Sequence, residues 1–178
     1  KRTVNVQTSP QEIVYGSLPS SDKTLASLVP TETEPLVEDH SISAVKLTSE
    51  EVEKGTHEHA IVASDVFIQD AAGTDVTDNY VVRSPEELRG TLTITQKSYV
   101  GLTVSGLDAE YEGDGETAVC PDVMTLQSVD VFDGTLRLEK GADKDYTVTY
   151  ENNVQAGTAT AQFNILATGN YTAGTLTK

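Results

Sequence analysis

His57-Glu58-His59 sets two imidazoles two residues apart. On a strand, where side chains alternate between faces, both would point to one side as a candidate transition-metal pair, with His40 available to join them. A closed site needs about three or four convergent ligands held by outer-shell partners, so the plainer reading is a pair of exposed histidines. Asp70, Asp75, Asp78 and Asn79 crowd one turn region, and oxygen-rich turns can hold calcium through about six to eight ligands. Their spacing is not that of an EF-hand and lacks its closing Glu, and Asp and Asn also belong in turns for backbone reasons alone. Cys120 is the single cysteine; it excludes an internal disulfide. With no Lys, Arg or His within five residues to lower its pKa, it reads as a small buried hydrophobe rather than a reactive thiol. No G-x-S-x-G, H-E-x-x-H, phosphate-binding glycine loop or Cys-x-x-Cys occurs. The expectation is a non-enzymatic chain with no cofactor and no resident metal.

The elements that would carry these residues are β-strands. The 178 residues include 24 Thr and 20 Val against one Met and no Trp, and β-branched side chains suit a pleated, half-buried surface better than a helix. Turn clusters separate short alternating runs. In the first half these runs predict strands at Thr3–Gln7, Ile13–Tyr15, Ser41–Leu47, Glu58–Ala63, Val66–Gln69, Tyr80–Arg83 and Thr91–Gln96. In the second they predict Gly101–Ser105, Ala109–Glu112, Thr125–Phe132, Leu136–Glu139, Tyr146–Tyr150, Thr158–Leu166 and a short strand near Leu176. Asn152-Asn153 and Gly157 read as the turn of a hairpin. Two segments break the pattern. Gly16 to Asp39, with Pro19, Pro30 and Pro35, reads as a long loop with a helical turn at Lys23 to Leu28. Thr48 to Thr56 is the other; its Thr48-Ser-Glu-Glu-Val-Glu-Lys-Gly run has a capping-box pattern, Thr48 with Glu51, and Gly55 as a stop, and predicts at most a very short helix.

The strand count and length fit an all-β fold of two tandem immunoglobulin-like sandwich modules, residues 1–96 and 97–178, each with a thin core of Val, Ile, Leu and Ala. The net charge of −16 is spread over both halves; it disfavours nucleic acid and anionic membrane surfaces, which bind through Lys and Arg. No apolar run approaches the roughly 20 residues a membrane span needs. Lys1-Arg2 open the chain with no apolar segment behind them, and an internal excerpt of a longer protein is expected.

Asp75-Val-Thr-Asp-Asn-Tyr80 followed by Gly90-Thr-Leu-Thr-Ile-Thr95, with Tyr15-Gly16, resembles the MBG (YGX-type) repeats of bacterial surface proteins. Tyr111-Glu-Gly113, Asp145-Tyr-Thr-Val-Thr-Tyr150, Asn152-Asn153, Gly157-Thr-Ala-Thr160 and Gly169-Asn-Tyr171, in order, resemble a second repeat type, the Ig-like repeats of Gram-positive surface proteins. The resemblance implies a secreted or wall-attached protein of Firmicutes or Actinobacteria, and a segment acting as a spacer, or stalk. Its partners would be the neighbouring modules of the same parent, with the chain itself monomeric. It also raises an intramolecular isopeptide bond, for which Lys97 and Asn164 have the required order, but the bond needs both buried beside an acid, and a surface Lys with an ordinary strand Asn is the plainer reading. The alternative is an adhesin that binds a host protein or carbohydrate through the 16–39 loop. The loop between those ends holds no aromatic residue, which weakens the glycan version.

Overall fold

The alternating segments do pair into sheets. A computed structural model describes residues 1–107, 114–119 and 129–178. The chain is all-β, with thirteen strands among the described residues, and divides into two units, Lys1–Thr95 and Gln96–Lys178.

The first unit holds β1 (Arg2–Thr8), β2 (Gln11–Val14), β3 (Ala26–Val29), β4 (Ser41–Thr48), β5 (Gly55–Gln69), β6 (Tyr80–Arg83) and β7 (Gly90–Thr95). They form a three-stranded sheet ordered β3-β1-β6 and a four-stranded sheet ordered β2-β7-β5-β4. Pro10, which cannot donate to a ladder, separates β1 from β2, and the chain changes sheets there. As a result β1 runs parallel to β6 while β2 runs parallel to β7. Val4 and Val6 of β1 share one core with Ile42, Val45 and Leu47 of β4, Ile61 and Ile68 of β5, and Leu92 and Ile94 of β7. The period of two puts these side chains on the inner faces.

Buried Thr8, 4% exposed, ties the two sheets. Its hydroxyl donates to the Ile61 carbonyl at 2.9 Å and accepts from Gly90 N at 2.7 Å. Gly90 is required by close approach: a Cβ there would lie 2.4 Å from the Ser9 carbonyl oxygen.

Three expectations need correction here. Gly16 to Asp39 is not one uninterrupted loop: Lys23–Leu25 form a 3₁₀ turn capped by Asp22, and Ala26–Val29 is β3, paired antiparallel with β1. Leu25, Ala26 and Leu28 pack on the core, and that burial overrides the local helical pattern. Thr48 to Gly55 holds no helix, because Thr48 ends β4 and Gly55 opens β5. The strands expected at Glu58–Ala63 and Val66–Gln69 are one strand, β5, bent by ladder irregularities, with His59 and Asp65 at positive φ.

The second unit holds β8 (Thr103–Ser105), β9 (Asp130–Asp133), β10 (Leu136–Arg137), β11 (Tyr146–Glu151), β12 (Thr160–Ile165) and β13 (Gly174–Thr177). Two three-stranded sheets are ordered β10-β9-β8 and β11-β12-β13. β11 and β12 are the hairpin expected around Asn152, which has φ 57°. Tyr146, Phe163, Ile165 and Val131 are buried, with the Tyr146 and Phe163 ring centroids 6.1 Å apart. Asp130 is buried as well and pairs with Arg137 Nη2 at 2.7 Å. The strand expected at Ala109–Glu112, the first part of that at Thr125–Phe132, Tyr111-Glu-Gly113 and Cys120 lie outside the described residues. Among the described residues no helix is long and apolar enough to cross a membrane.

Candidate functional site

Among the described residues, His57, His40, Asp70, Asp75 and Lys97 are each held by a structural contact. His57 sits on β5 opposite Leu92, on the core-facing side, and its side chain is 21% exposed. Its ring folds back over Gly55, where a Cβ would meet Nε2 at 3.4 Å. Nδ1 lies 3.1 Å from Glu51 Oε2, and Nε2 lies 2.9 Å from the Glu53 carbonyl oxygen. Both nitrogens are thus engaged with the segment joining β4 to β5. His59, at φ 55°, falls in the irregular part of β5, so the alternation that would have aligned it with His57 is broken. His40 is elsewhere, its Nδ1 2.6 Å from the Tyr80 hydroxyl with the rings edge to face. Among the described residues no three His, Cys, Asp or Glu side chains converge as a metal would require.

The acidic turn behaves similarly. Asp70 Oδ1 accepts from Ala72 N and Thr74 N, both at 2.9 Å, and Asp75 Oδ1 accepts from Thr77 N at 2.9 Å. These are Asx-type bonds that close the turn between β5 and β6. The Thr77 hydroxyl and backbone N–H hold the Asp75 carboxyl below the ordinary carboxylate value. Asp78 and Asn79 lie in the 3₁₀ turn Thr77–Asn79 and are exposed. The same chemistry recurs in the second unit: N–H groups of Thr117 and Glu116 and the Thr117 hydroxyl hold Asp114 low.

Lys97 does not face Asn164. Its Nζ lies 2.9 and 2.8 Å from the two Asp133 carboxylate oxygens, while Asn164 Oδ1 accepts from the Thr175 hydroxyl at 3.1 Å. Lys97 is thus ion-paired with Asp133 and Asn164 is an ordinary strand Asn, the plainer of the two readings. Lys97 is 41% exposed and Asp133 18%. Tyr171 O–H donates to Asp133 Oδ2 at 3.0 Å.

The 16–39 segment is stapled along its length. The Gln11 side chain exchanges two bonds with the Ser20 peptide, at 2.7 and 3.1 Å. Ser21 Oγ accepts from Leu47 N at 2.9 Å. Glu34 accepts from Thr3 N, and Arg2 Nη1 donates to the Pro35 carbonyl at 2.7 Å. Leu18 nonetheless stands 85% exposed, and an open depression of about 350 Å³ is lined by Lys23, Thr24, Ala26, Ser27, Ser41 and Ile42.

One arrangement went unread in the sequence. Gln96 Nε2 lies 2.9 Å from the Ala167 carbonyl oxygen, 3.0 Å from that of Gly169 and 2.7 Å from that of Tyr171. Acceptors on three sides determine that the amide nitrogen, not the oxygen, occupies this position. The only sequence signal was the Gly169-Asn170-Tyr171 element itself. Gly169 admits the loop's shape because a Cβ there would lie 2.9 Å from Asp145 Oδ1.

No protein-family model, no curated protein and no solved structure matches this chain.

Proposed function

We propose that this chain is a non-enzymatic spacer, a stalk segment of a secreted or wall-attached bacterial surface protein built from tandem immunoglobulin-like modules. The observation that carries the reading is at the boundary. Thr95 is bonded into the first unit, through its hydroxyl to the Ile13 carbonyl at 3.1 Å and its carbonyl to Tyr15 N at 2.9 Å. Gln96 is bonded into the second. Successive units joined by a single peptide bond, with no Gly, Pro or Ser run to act as a flexible tether, suit a structural element better than a mobile binding arm. The consumption of His57, Asp70, Asp75 and Lys97 in local bonds supports the same reading. Its partners are then the neighbouring modules of its own parent. The resemblance of Tyr15-Gly16 with 75–95, and of the 145–171 motifs, to bacterial surface repeats supports placement at the cell surface.

The test is to display an epitope on a bacterial wall anchor through this chain. A spacer should expose the epitope to antibody as well as an unrelated β module of equal length does. A phenotype that only this chain confers would overturn it. The second reading, an adhesin, is favoured by exposed Leu18 within the 16–39 segment. A glycan array and a host-protein pull-down with the chain and with Leu18→Ser test it; the spacer reading expects both to remain blank.

A further inference from the structure

The residues that lead into the second unit are bound one after another to the loop before β13. After the Gln96 contacts, Lys97 N donates to the Asn170 carbonyl and Thr172 N to the Lys97 carbonyl, both at 2.9 Å. This is a parallel bridge between Lys97 and Tyr171. The Lys97 ammonium and the Tyr171 hydroxyl meet on Asp133. Tyr99 N donates to the Thr172 hydroxyl at 3.2 Å. Its ring covers Gly174, where a Cβ would come 2.2 Å from Tyr99 Cε1.

Parallel pairing matters for a chain under tension. Force from the N-terminal side reaches this segment at Gln96, and force from the C-terminal side reaches its partner beyond Tyr171. The two parallel segments are then drawn in opposite senses along a common line, so their bonds are loaded together in shear instead of being unzipped singly. A lone side-chain amide with two N–H donors facing three acceptors sits at the first loaded residue. We propose that Gln96, pinned in its ring of carbonyls, is the mechanical lock of the second unit: the contact that must break before tension arriving through Thr95 can open it. The inference rests on the spacer reading, since only a tension-bearing chain has a use for it.

Constant-force unfolding of the full chain in a Cys120→Ser background tests the lock, with one handle at Lys178 and the other at either Lys1 or Val100. Val100 is 73% exposed and lies downstream of the lead-in. The step common to both attachments is the second unit. With the Lys1 handle, Gln96→Ala should speed that step roughly tenfold or more, the effect of losing two hydrogen bonds. With the Val100 handle it should change little, because load no longer passes through residue 96. Acceleration that is equal for both attachments, or absent from both, overturns the lock and leaves the spacer standing. A wild-type second unit that yields at the lowest forces from both attachments overturns the spacer and the lock with it. If Gln96→Ala does not fold, Gln96→Asn, whose arm is one methylene short of the carbonyls, takes its place with the same expected outcomes.

Discussion

At the scale of residues, the chain spends its polar side chains on backbone. Thr8 illustrates what this is worth. Thr8→Val keeps the shape but leaves Gly90 N–H and the Ile61 carbonyl without their buried partner, which should cost about 1–3 kcal/mol. Thr8→Ser, which keeps the hydroxyl, should cost distinctly less. Urea denaturation that fails to separate these two variants would refute the tie between sheets. Asp22 offers a pH test. N–H and O–H of Thr24 donate to its carboxylate at 2.9 and 2.8 Å, first the backbone and then the hydroxyl holding its pKa below the ordinary 3.8. A depressed carboxylate stabilises the fold above its unfolded pKa and loses that contribution as pH falls through the folded value. The Thr24 amide resonance should therefore keep its capped position down to about pH 3.8 and move only below it, and Asp22→Asn should abolish that movement.

The turn-forming role of Asp70 and Asp75 was readable in the sequence, since short acceptors near Gly73 act on neighbouring N–H groups. The fate of His57 and His59 was not. Alternation assumes a regular strand, and an irregular ladder with His59 in the left-handed region cancels it. Gln96 was further from reach, because its three partners lie about seventy residues away and are backbone carbonyls, which no residue type announces.

At the scale of elements, strands bounded by turn-forming residues were legible, at sheet edges (β4, β6 and β11) as well as in the middle of a sheet (β7). β4, β6, β7 and β11 lie within a residue or so of the expected limits. β3 was missed because four residues, Ala26–Val29, sit among prolines and acids and declare themselves only by pairing with β1. Its reality is measurable: part of the 26–29 amides should resist hydrogen exchange as β1 does, and exchange at the rate of unstructured chain throughout would contradict the ladder. Thr48 to Gly55 failed for the opposite reason. A helix-start pattern is present, but six residues between two paired strands cannot bury a helical face.

At the scale of the molecule, two units each with a core of their own should melt as two cooperative transitions. Ile61→Ala, at a site with no exposure, should lower only the first unit's stability, by about 2–5 kcal/mol, and Phe163→Ala only the second's, by about 3–5 kcal/mol. Calorimetry in which either variant shifts both transitions would show a single folding unit. The sheet-changing strand at Pro10 has a further effect, on the order of events during synthesis. β1 finds β3 early in the chain, but Arg2 and Gln11 pair with Tyr80 and Leu92, so its other edge and the whole of β2 find their ladder partners only among the last residues of the unit. A chain emerging N-terminus first can join β1 to β3 at once but must hold β2 unpaired until β7 has appeared, a loop closure among the slowest kinds of contact to make. The first unit therefore closes late, when β6 and β7 complete its two sheets.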